Sequence, residues 1–133
     1  MNWSDGEGTE DRLERDGPAI SAALSVNDAV RDVALCTYAL PAHGVGIYAF
    51  VETDLDAGAV RALVPRALAE LVQPVAHLPR RADGSLRSDV LQLIATNRLD
   101  DLEEVLRREP DLEPMLCPIV AGRLNLTDRV LRR

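Results

Sequence analysis

The residues best suited to binding or catalysis lie in a basic stretch between positions 78 and 99, where a loop leads into a helical pattern. Asp83-Gly84 is a strong turn dipeptide, because glycine accepts a positive φ without steric cost. Ser85 follows the turn directly, and the arginines around it in sequence are Arg80, Arg81, Arg87 and Arg98. A guanidinium can hold a phosphate or a carboxylate through two parallel hydrogen bonds. The pattern therefore predicts arginines that contact a phosphate group or a protein partner, with solvated surface arginines as the alternative.

Ser85 could act as a nucleophile only with a base and an orienting acid beside it. The histidines of the chain are His43 and His77, and Asp83 or Asp89 could supply the acid. No Gly-x-Ser-x-Gly elbow surrounds the serine, so a surface turn residue is the favoured interpretation. We therefore predict no catalytic residue in this loop.

The two cysteines, Cys36 and Cys117, lie far apart in the sequence and belong to no Cys-x-x-Cys pair. Neither they nor the histidines have the spacing of a metal site, so no metal ligand is predicted. Both cysteines have apolar neighbours, and we expect them to be reduced residues of the core.

Charge narrows the classes of partner. The 133 residues include 15 basic residues, all of them arginine, against 22 acidic residues, which gives a net charge of −7. Nucleic acid would be repelled by this charge, so no nucleic-acid partner is expected. The absence of lysine excludes Schiff-base chemistry on a lysine. The first residues are acidic rather than basic and apolar, and no apolar run approaches the ~18 residues of a membrane span, so we expect a cytoplasmic protein without a membrane partner.

Apolar periodicity divides the chain into short strands and helices. Alternation and β-branched residues predict strands over residues 30–40, 45–52 and 74–78, and one-sided apolar patterns predict helices over 18–25 and 57–72, the second interrupted by Pro65. This order predicts the α+β class, with a small, mostly antiparallel sheet of about three strands packed with helices. The predicted organisation is an acidic flexible arm over residues 1–17, an α+β domain over 18–99 and a helical C-terminal extension over 100–133.

Three stretches carry recognisable motifs. They are Ile20-Ser21-Ala22-Ala23-Leu24 continued by residues 27–34, then Gly46-Ile47-Tyr48-Ala49-Phe50-Val51, then Leu78-Pro79 through Ile94-Ala95. In this order they resemble the C-terminal domain of the adenylate-forming acyl-CoA synthetases, especially the acetyl-CoA synthetase type, from about residue 18 to residue 102. The large N-terminal domain of that family, which supplies the nucleotide pocket, has no counterpart in this sequence.

The resemblance implies that the loop derives from the family's lysine loop and that it no longer has the lysine used in adenylation. In the family a lysine follows the loop glycine and reaches the active site during adenylation; here the glycine corresponds to Gly84 and the lysine position holds Ser85. A neutral hydroxyl cannot stabilise the charge that develops on a transferring phosphoryl group. The resemblance therefore implies a stand-alone, non-catalytic homologue that acts as a protein-binding or regulatory module.

A second function stays open beside this one. The chain could be an accessory subunit of a split acyl-CoA synthetase that supports CoA thioester formation, the half-reaction for which the family does not use the lysine. Basic residues in this part of the family hold CoA phosphates or face the large domain, so weak CoA or AMP binding also stays open, although no cofactor is expected. The expected partner is a protein, which could be a synthetase large domain, another protein or a second copy of this chain.

Overall fold

The computed structural model describes residues 4–39 and 44–131, and the side chains of residues 12–39 and 44–123. His43 and the first three residues of the predicted arm lie outside these ranges. The described elements are, in chain order, α1 (Ser4–Ser25), β1 (Val30–Ala39), β2 (Val45–Thr53), α2 (Ala57–Leu63), β3 (Leu71–Val75), α3 (Ser88–Ala95), α4 (Leu99–Arg108), a short 3-10 helix (Pro110–Leu112) and α5 (Glu113–Leu131).

The sheet has three strands in the order β1-β2-β3. β1 and β2 run antiparallel, with Ala34 opposite Phe50, whereas β2 and β3 run parallel, with Phe50 opposite Gln73. The predicted α+β class with a small, mostly antiparallel sheet packed by helices is confirmed, since the β1–β2 pairing is longer than the β2–β3 pairing, and the parallel β2–β3 pair makes the sheet mixed. The reason is that α2 lies between β2 and β3, and a crossover through a helix returns the chain in the parallel direction.

Both faces of the sheet are covered by helices, so the central strand β2 is buried almost throughout. Successive residues of β2 point to opposite layers. Ile47 and Val51 pack in one core with residues of α1 and α2, and Tyr48 and Phe50 pack in another with residues of α3, α4 and α5. The C-terminal helices therefore share a core with the sheet, and they cover the face that carries the aromatic residues.

Helix α1 corrects the expectation of a flexible arm, because residues 4–17 are helical and continuous with the helix predicted from Pro18. Arg12 in this segment is only 9% exposed, and its guanidinium donates to the Val45 carbonyl at the start of β2. A buried and multiply bonded guanidinium anchors the segment to the sheet, which its acidic composition does not indicate. The division of the chain into domains stays a prediction.

Helix α2 is shorter than predicted, and β3 begins earlier. Asp56 caps the helix by accepting a hydrogen bond from the Ala59 N–H at 2.8 Å. Pro65 has no N–H with which to continue the helix, so the helix ends before it. The third strand then begins at Leu71 instead of residue 74. Arg61 supports this tight connection by donating to three of its carbonyls, those of Val64, Ala69 and Glu70.

Candidate functional site

The loop that precedes α3 is a closed, hydrogen-bonded hairpin. Arg80 and Leu86 form an antiparallel bridge. The Arg81 N–H donates to the Ser85 carbonyl at 2.8 Å, and the Gly84 N–H donates to the Arg81 carbonyl at 2.9 Å. Gly84 has a φ of +92°, so the turn needs a residue that tolerates the left-handed region. The turn predicted from the dipeptide is therefore present, and it determines where the arginines point.

Ser85 lies exposed at the tip of the hairpin and is held by Asp83. Its hydroxyl donates to Asp83 Oδ1 at 2.7 Å, and its N–H donates to the same oxygen at 2.9 Å. These two bonds, together with the charge of Arg81, lower the pKa of Asp83. His77 is also exposed, and within the described residues no hydrogen bond joins it to Ser85. The arrangement of serine, histidine and acid that a nucleophile needs is not assembled.

Arg80 ties the hairpin to the sheet. Its guanidinium donates to Asp32 on β1 at 2.7 Å and to the Gly84 carbonyl at 3.2 Å, and it lies 3.5 Å from Glu52 on β2. The hydrogen bond with Asp32 and the two nearby carboxylates raise the pKa of Arg80. Glu52 in turn accepts a hydrogen bond from the N–H of buried Leu78 at 2.8 Å. This group of side chains holds the base of the loop in one position.

Arg87 joins the loop to the segment that follows α4. It donates to Asp89 at 2.9 Å and 3.1 Å and to Glu109 at 2.8 Å and 3.2 Å. These hydrogen bonds raise the pKa of Arg87 and lower the pKa values of both carboxylates. Both carboxylates already use the donors of this guanidinium, so Arg87 has little left to offer an external anion.

Arg81 is the loop arginine with the weakest internal partners. It donates to the Leu86 carbonyl at 2.9 Å and to Ser85 Oγ at a long 3.5 Å, but its distance to the Asp89 carboxylate is 3.6 Å and its side chain is 49% exposed. An exposed pair at this distance contributes little to stability. The guanidinium of Arg81 is therefore the one in this loop that a partner can recruit at the lowest energetic cost.

Three of the four predicted arginines meet at one cavity. Arg80, Arg81 and Arg87 line an open cavity of about 640 Å³ together with Arg108, Glu109 and Asp111. Arg98 lies elsewhere, since it forms an exposed ion pair with Asp101 at 2.6 Å. Arg108 comes from the end of α4, and nothing in its local sequence indicates a place beside the loop. The cavity carries both signs of charge, as a protein contact surface commonly does.

The cysteines differ in environment. Cys36 is buried on β1, and burial raises the pKa of its thiol to about 12, whereas Cys117 on α5 is exposed, which corrects the expectation of two core cysteines. The exposure follows from the direction of the helix, because the neighbouring Leu116 already occupies the core. Over the described ranges no three His, Cys, Asp or Glu side chains are grouped for a metal ion. None of the described helices has the length and apolar character to cross a membrane.

No protein-family model matches the chain, and no curated protein matches it. Among solved structures, the amide bond synthetase McbA from Marinactinospora thermotolerans is 23% identical with a TM-score of 0.47, over 59% of this chain and 18% of that one. Apo MatB from Rhodopseudomonas palustris is 22% identical with a TM-score of 0.47, over 55% of this chain and 16% of that one. The matches thus span less than a fifth of these structures. At this level, the similarity assigns neither a family nor an activity to this chain.

Proposed function

We propose that this chain is a non-catalytic relative of the acyl-CoA synthetase C-terminal domain and acts as a protein-binding or regulatory module. The observation that carries the proposal is the state of Ser85. The position after the loop glycine holds a neutral hydroxyl, and that hydroxyl donates to Asp83 at 2.7 Å. At the position where the family carries a cation, this chain therefore has a neutral hydroxyl that is bonded to the Asp83 carboxylate, whose pKa is lowered.

Electrostatics supports the absence of adenylation activity. Stabilising charge on a transferring phosphoryl group is the largest contribution that a protein makes to such a step. The chain has no lysine that could replace the missing one. Arg80 and Arg87 are occupied by carboxylates of the same chain at 2.7 Å and 2.8 Å. A negative ligand would have to displace these internal partners before it could bind.

The same cavity suits a protein partner. Its rim presents Arg81 and Arg108 beside Glu109 and Asp111, so a surface with complementary charges of both signs can dock there. Arg81 has the weakest internal pairing among the loop arginines, and Arg108 on α4 is also weakly paired, at 3.8 Å from Glu104, so these two side chains supply the exchangeable contacts. We assign the partner contact to this face of the loop.

A paired capture experiment tests the assignment. Tagged wild-type chain, Arg81→Glu and Arg98→Glu are used as baits, and bound proteins are quantified. Arg98 is a matched control, because it is also exposed and paired with a neighbouring aspartate but lies outside the cavity. We expect a protein that the wild type and Arg98→Glu retain and Arg81→Glu loses. Equal recovery by all three baits would exclude this face as the site of the partner contact. Pyrophosphate release by the purified chain with ATP and a carboxylic acid would overturn the non-catalytic assignment.

An accessory role in thioester formation is the second candidate, and the geometry of the loop favours it. The hairpin keeps the turn at Gly84, and Arg80 holds its base against Asp32 and Glu52. An ordered loop of this kind can complete a site on another chain even without a lysine. The test mixes the purified chain with a synthetase large domain, a preformed acyl-adenylate and CoA. A rate of thioester formation above that of the large domain alone is expected, and no gain on mixing eliminates this candidate.

A further inference from the structure

Strand β1 lies at an edge of the sheet, with β2 on one side and no described strand on the other. It has 10 residues, whereas the opposite edge strand β3 has 5 residues and includes Pro74, which has no N–H to donate. Unpaired N–H and C=O groups along a sheet edge are a template for pairing with another strand. The outer edge of β1 is therefore the better template of the two.

The hydrogen bonds of β2 show which backbone groups of β1 face this edge. The Ile47 N–H donates to Glu70, which lies directly before β3, so the odd-numbered residues of β2 face β3 and the even-numbered ones face β1. Tyr48 lies opposite Cys36, and the even-numbered residues of β1 therefore face β2. The N–H and C=O groups of the odd-numbered residues between 33 and 39 point to the outer edge.

Side chains already occupy two of these edge groups. The Val33 N–H donates to Asp32 Oδ1 at 2.8 Å, and the Thr37 carbonyl accepts a hydrogen bond from Gln92 Nε2 at 2.6 Å. The Val33 carbonyl, the Thr37 N–H and both groups of Leu35 form no hydrogen bond with any described residue outside the ladder. The edge thus has free groups around Leu35, with an occupied donor on one side and an occupied acceptor on the other.

We propose that β1 pairs with β1 of a second copy, antiparallel and about a two-fold axis at Leu35. In this register the two copies of Leu35 exchange both hydrogen bonds, and each Thr37 N–H donates to the Val33 carbonyl of the other copy. The occupied Val33 N–H faces the occupied Thr37 carbonyl, so no free group lies opposite an occupied one. A shift of two residues would set the Leu35 N–H against the carbonyl that Gln92 occupies. This match of free with free groups favours a second copy over an unrelated strand.

The side chains of the edge are compatible with this register. Odd-numbered side chains of β1 lie on the face that α1 covers, where Val33 and Leu35 are half-buried apolar residues at the border of the core. The axis places Leu35 beside its own copy and Val33 beside Thr37 of the other copy. Asp32 then lies opposite Tyr38, so like charges do not face each other directly. Pairing therefore buries more apolar surface without opposing charges.

An open groove beside the edge provides space for the second strand. It has a volume of about 410 Å³ and is lined by Ser21 and Ser25 of α1 and by residues 30–33 of β1. The proposed register places residues 37–39 of the second copy along residues 31–33, which border this groove. The interface is isologous, because both copies use the same surface. The inference goes beyond the proposed function and uses a different element from the loop.

Sedimentation velocity over a range of concentrations tests the pairing. We expect a mass of twice 14.5 kDa for the wild type. Ser25→Trp fills the groove and should raise the dimer dissociation constant by about tenfold or more. Ala22→Trp is the matched control, since Ala22 is an exposed residue of the same helix that does not line the groove. Its replacement should leave the dissociation constant unchanged. A wild type that sediments as a monomer at all concentrations overturns the proposal.

Hydrogen exchange of single amides tests which strand covers the edge. The Leu35 N–H has no acceptor among the described residues of its own chain, so its exchange should slow as the protein concentration rises. The Ala34 N–H faces β2 and should exchange slowly at every concentration. A dimer in which the Leu35 amide still exchanges rapidly would overturn the proposal. Protection of Leu35 only after another protein is added would overturn it as well, because the strand would then come from that protein.

Crosslinking tests the position of the axis. In a Cys117→Ser background, Leu35→Cys should form a disulfide-linked dimer under mild oxidation, because a hydrogen-bonded antiparallel pair places its Cα atoms about 5.5 Å apart. Ala22→Cys in the same background should not, and Cys36 is buried and does not compete. Equal crosslinking at the two positions would overturn the two-fold register. All three readouts use the purified chain and do not depend on a partner at the loop, so the two proposals can fail separately.

Discussion

Arg12 and Arg81 are the same residue type in two regions of this molecule, and their environments are opposite. The side chain of Arg12 is 11% exposed, whereas that of Arg81 is 49% exposed. Arg12 contacts carboxylates at 2.6 Å and 3.1 Å, while the carboxylate nearest to Arg81 is 3.6 Å away. A guanidinium surrounded by protein acceptors stabilises the fold. A guanidinium whose N–H groups have weak internal partners is available to bind another molecule.

The Arg12 clamp joins three parts of the chain. Arg12 bonds Asp16 on its own helix and Glu70 before β3, and its remaining acceptors are the carbonyls of Val45, Ala67 and Leu68. Glu70 also accepts a hydrogen bond from the Ile47 N–H on β2. The clamp therefore attaches α1 to the start of β2 and to the connection that leads into β3. No comparable set of long-range bonds holds Arg81.

The largest expected effect is the loss of this clamp. Arg12→Ala should lower the free energy of unfolding by about 3 kcal/mol, because it leaves two partly buried carboxylates and three carbonyls without their donor. Arg15→Ala is the matched control on the same helix, since Arg15 is exposed and its removal should cost about 0.5 kcal/mol or less. Urea unfolding measures both. Equal destabilisation by the two variants would contradict the contrast between clamp and surface.

Substitutions at the base of the loop, where Glu52 lies, should lower the stability of the protein nearly as much as loss of the Arg12 clamp does. Glu52→Ala should cost about 2 kcal/mol, because the N–H of buried Leu78 would lose its acceptor. Glu52→Gln keeps an acceptor oxygen and should cost less. Asp54→Ala, at a side chain that is 88% exposed, should be nearly neutral by thermal unfolding. If Glu52→Ala were as mild as Asp54→Ala, the base would not be held by this carboxylate.

A smaller effect is expected at the turn itself. Gly84→Ala should cost about 1 kcal/mol, because the φ of +92° is strained for any residue with a Cβ. No atom lies within 4 Å of the added methyl group, so strain rather than collision is the cause. Gly58→Ala in α2 is the opposite control, since helix propensity there should stabilise the protein by about 0.5 kcal/mol. Chemical denaturation of the two variants should therefore shift the midpoint in opposite directions.

The smallest expected effect is on how the free energy of unfolding changes as the pH is lowered. The hydrogen bond from Arg12 is the main cause that lowers the pKa of Asp16 below its ordinary value of 3.8. A lowered pKa contributes stability that is present above the ordinary value and is lost as the pH falls through the folded value. Between about pH 5 and about pH 3, the wild type should therefore lose more stability than Arg12→Ala does. Urea unfolding curves of both variants at the two pH values measure this. Identical losses of stability would show that the bond between Arg12 and Asp16 does not contribute to the stability of the clamp.

Local chemistry made some of the fold and site predictable. The turn at Gly84, the cap at Asp56 and the apolar strand around Ile47 each follow from residues adjacent in sequence. The parallel direction of β3 and its early start did not follow, because a strand's direction depends on which neighbour it meets. The sequence also did not predict the helix over residues 4–17, because Arg12 in this segment bonds to residues more than thirty positions away in the chain.

The sequence by itself determined the chemistry available at the loop: a serine after the glycine, arginines around it and no lysine anywhere. Those facts depend only on residue identity. Tertiary structure decided which arginines have only weak internal partners, because ion-pair distances depend on where the carboxylates lie in space. It separated Arg98 from the cavity and brought Arg108 to it. It also left one face of α5 exposed, which periodicity could not show, because an apolar pattern marks where packing is favourable but not which partner supplies it.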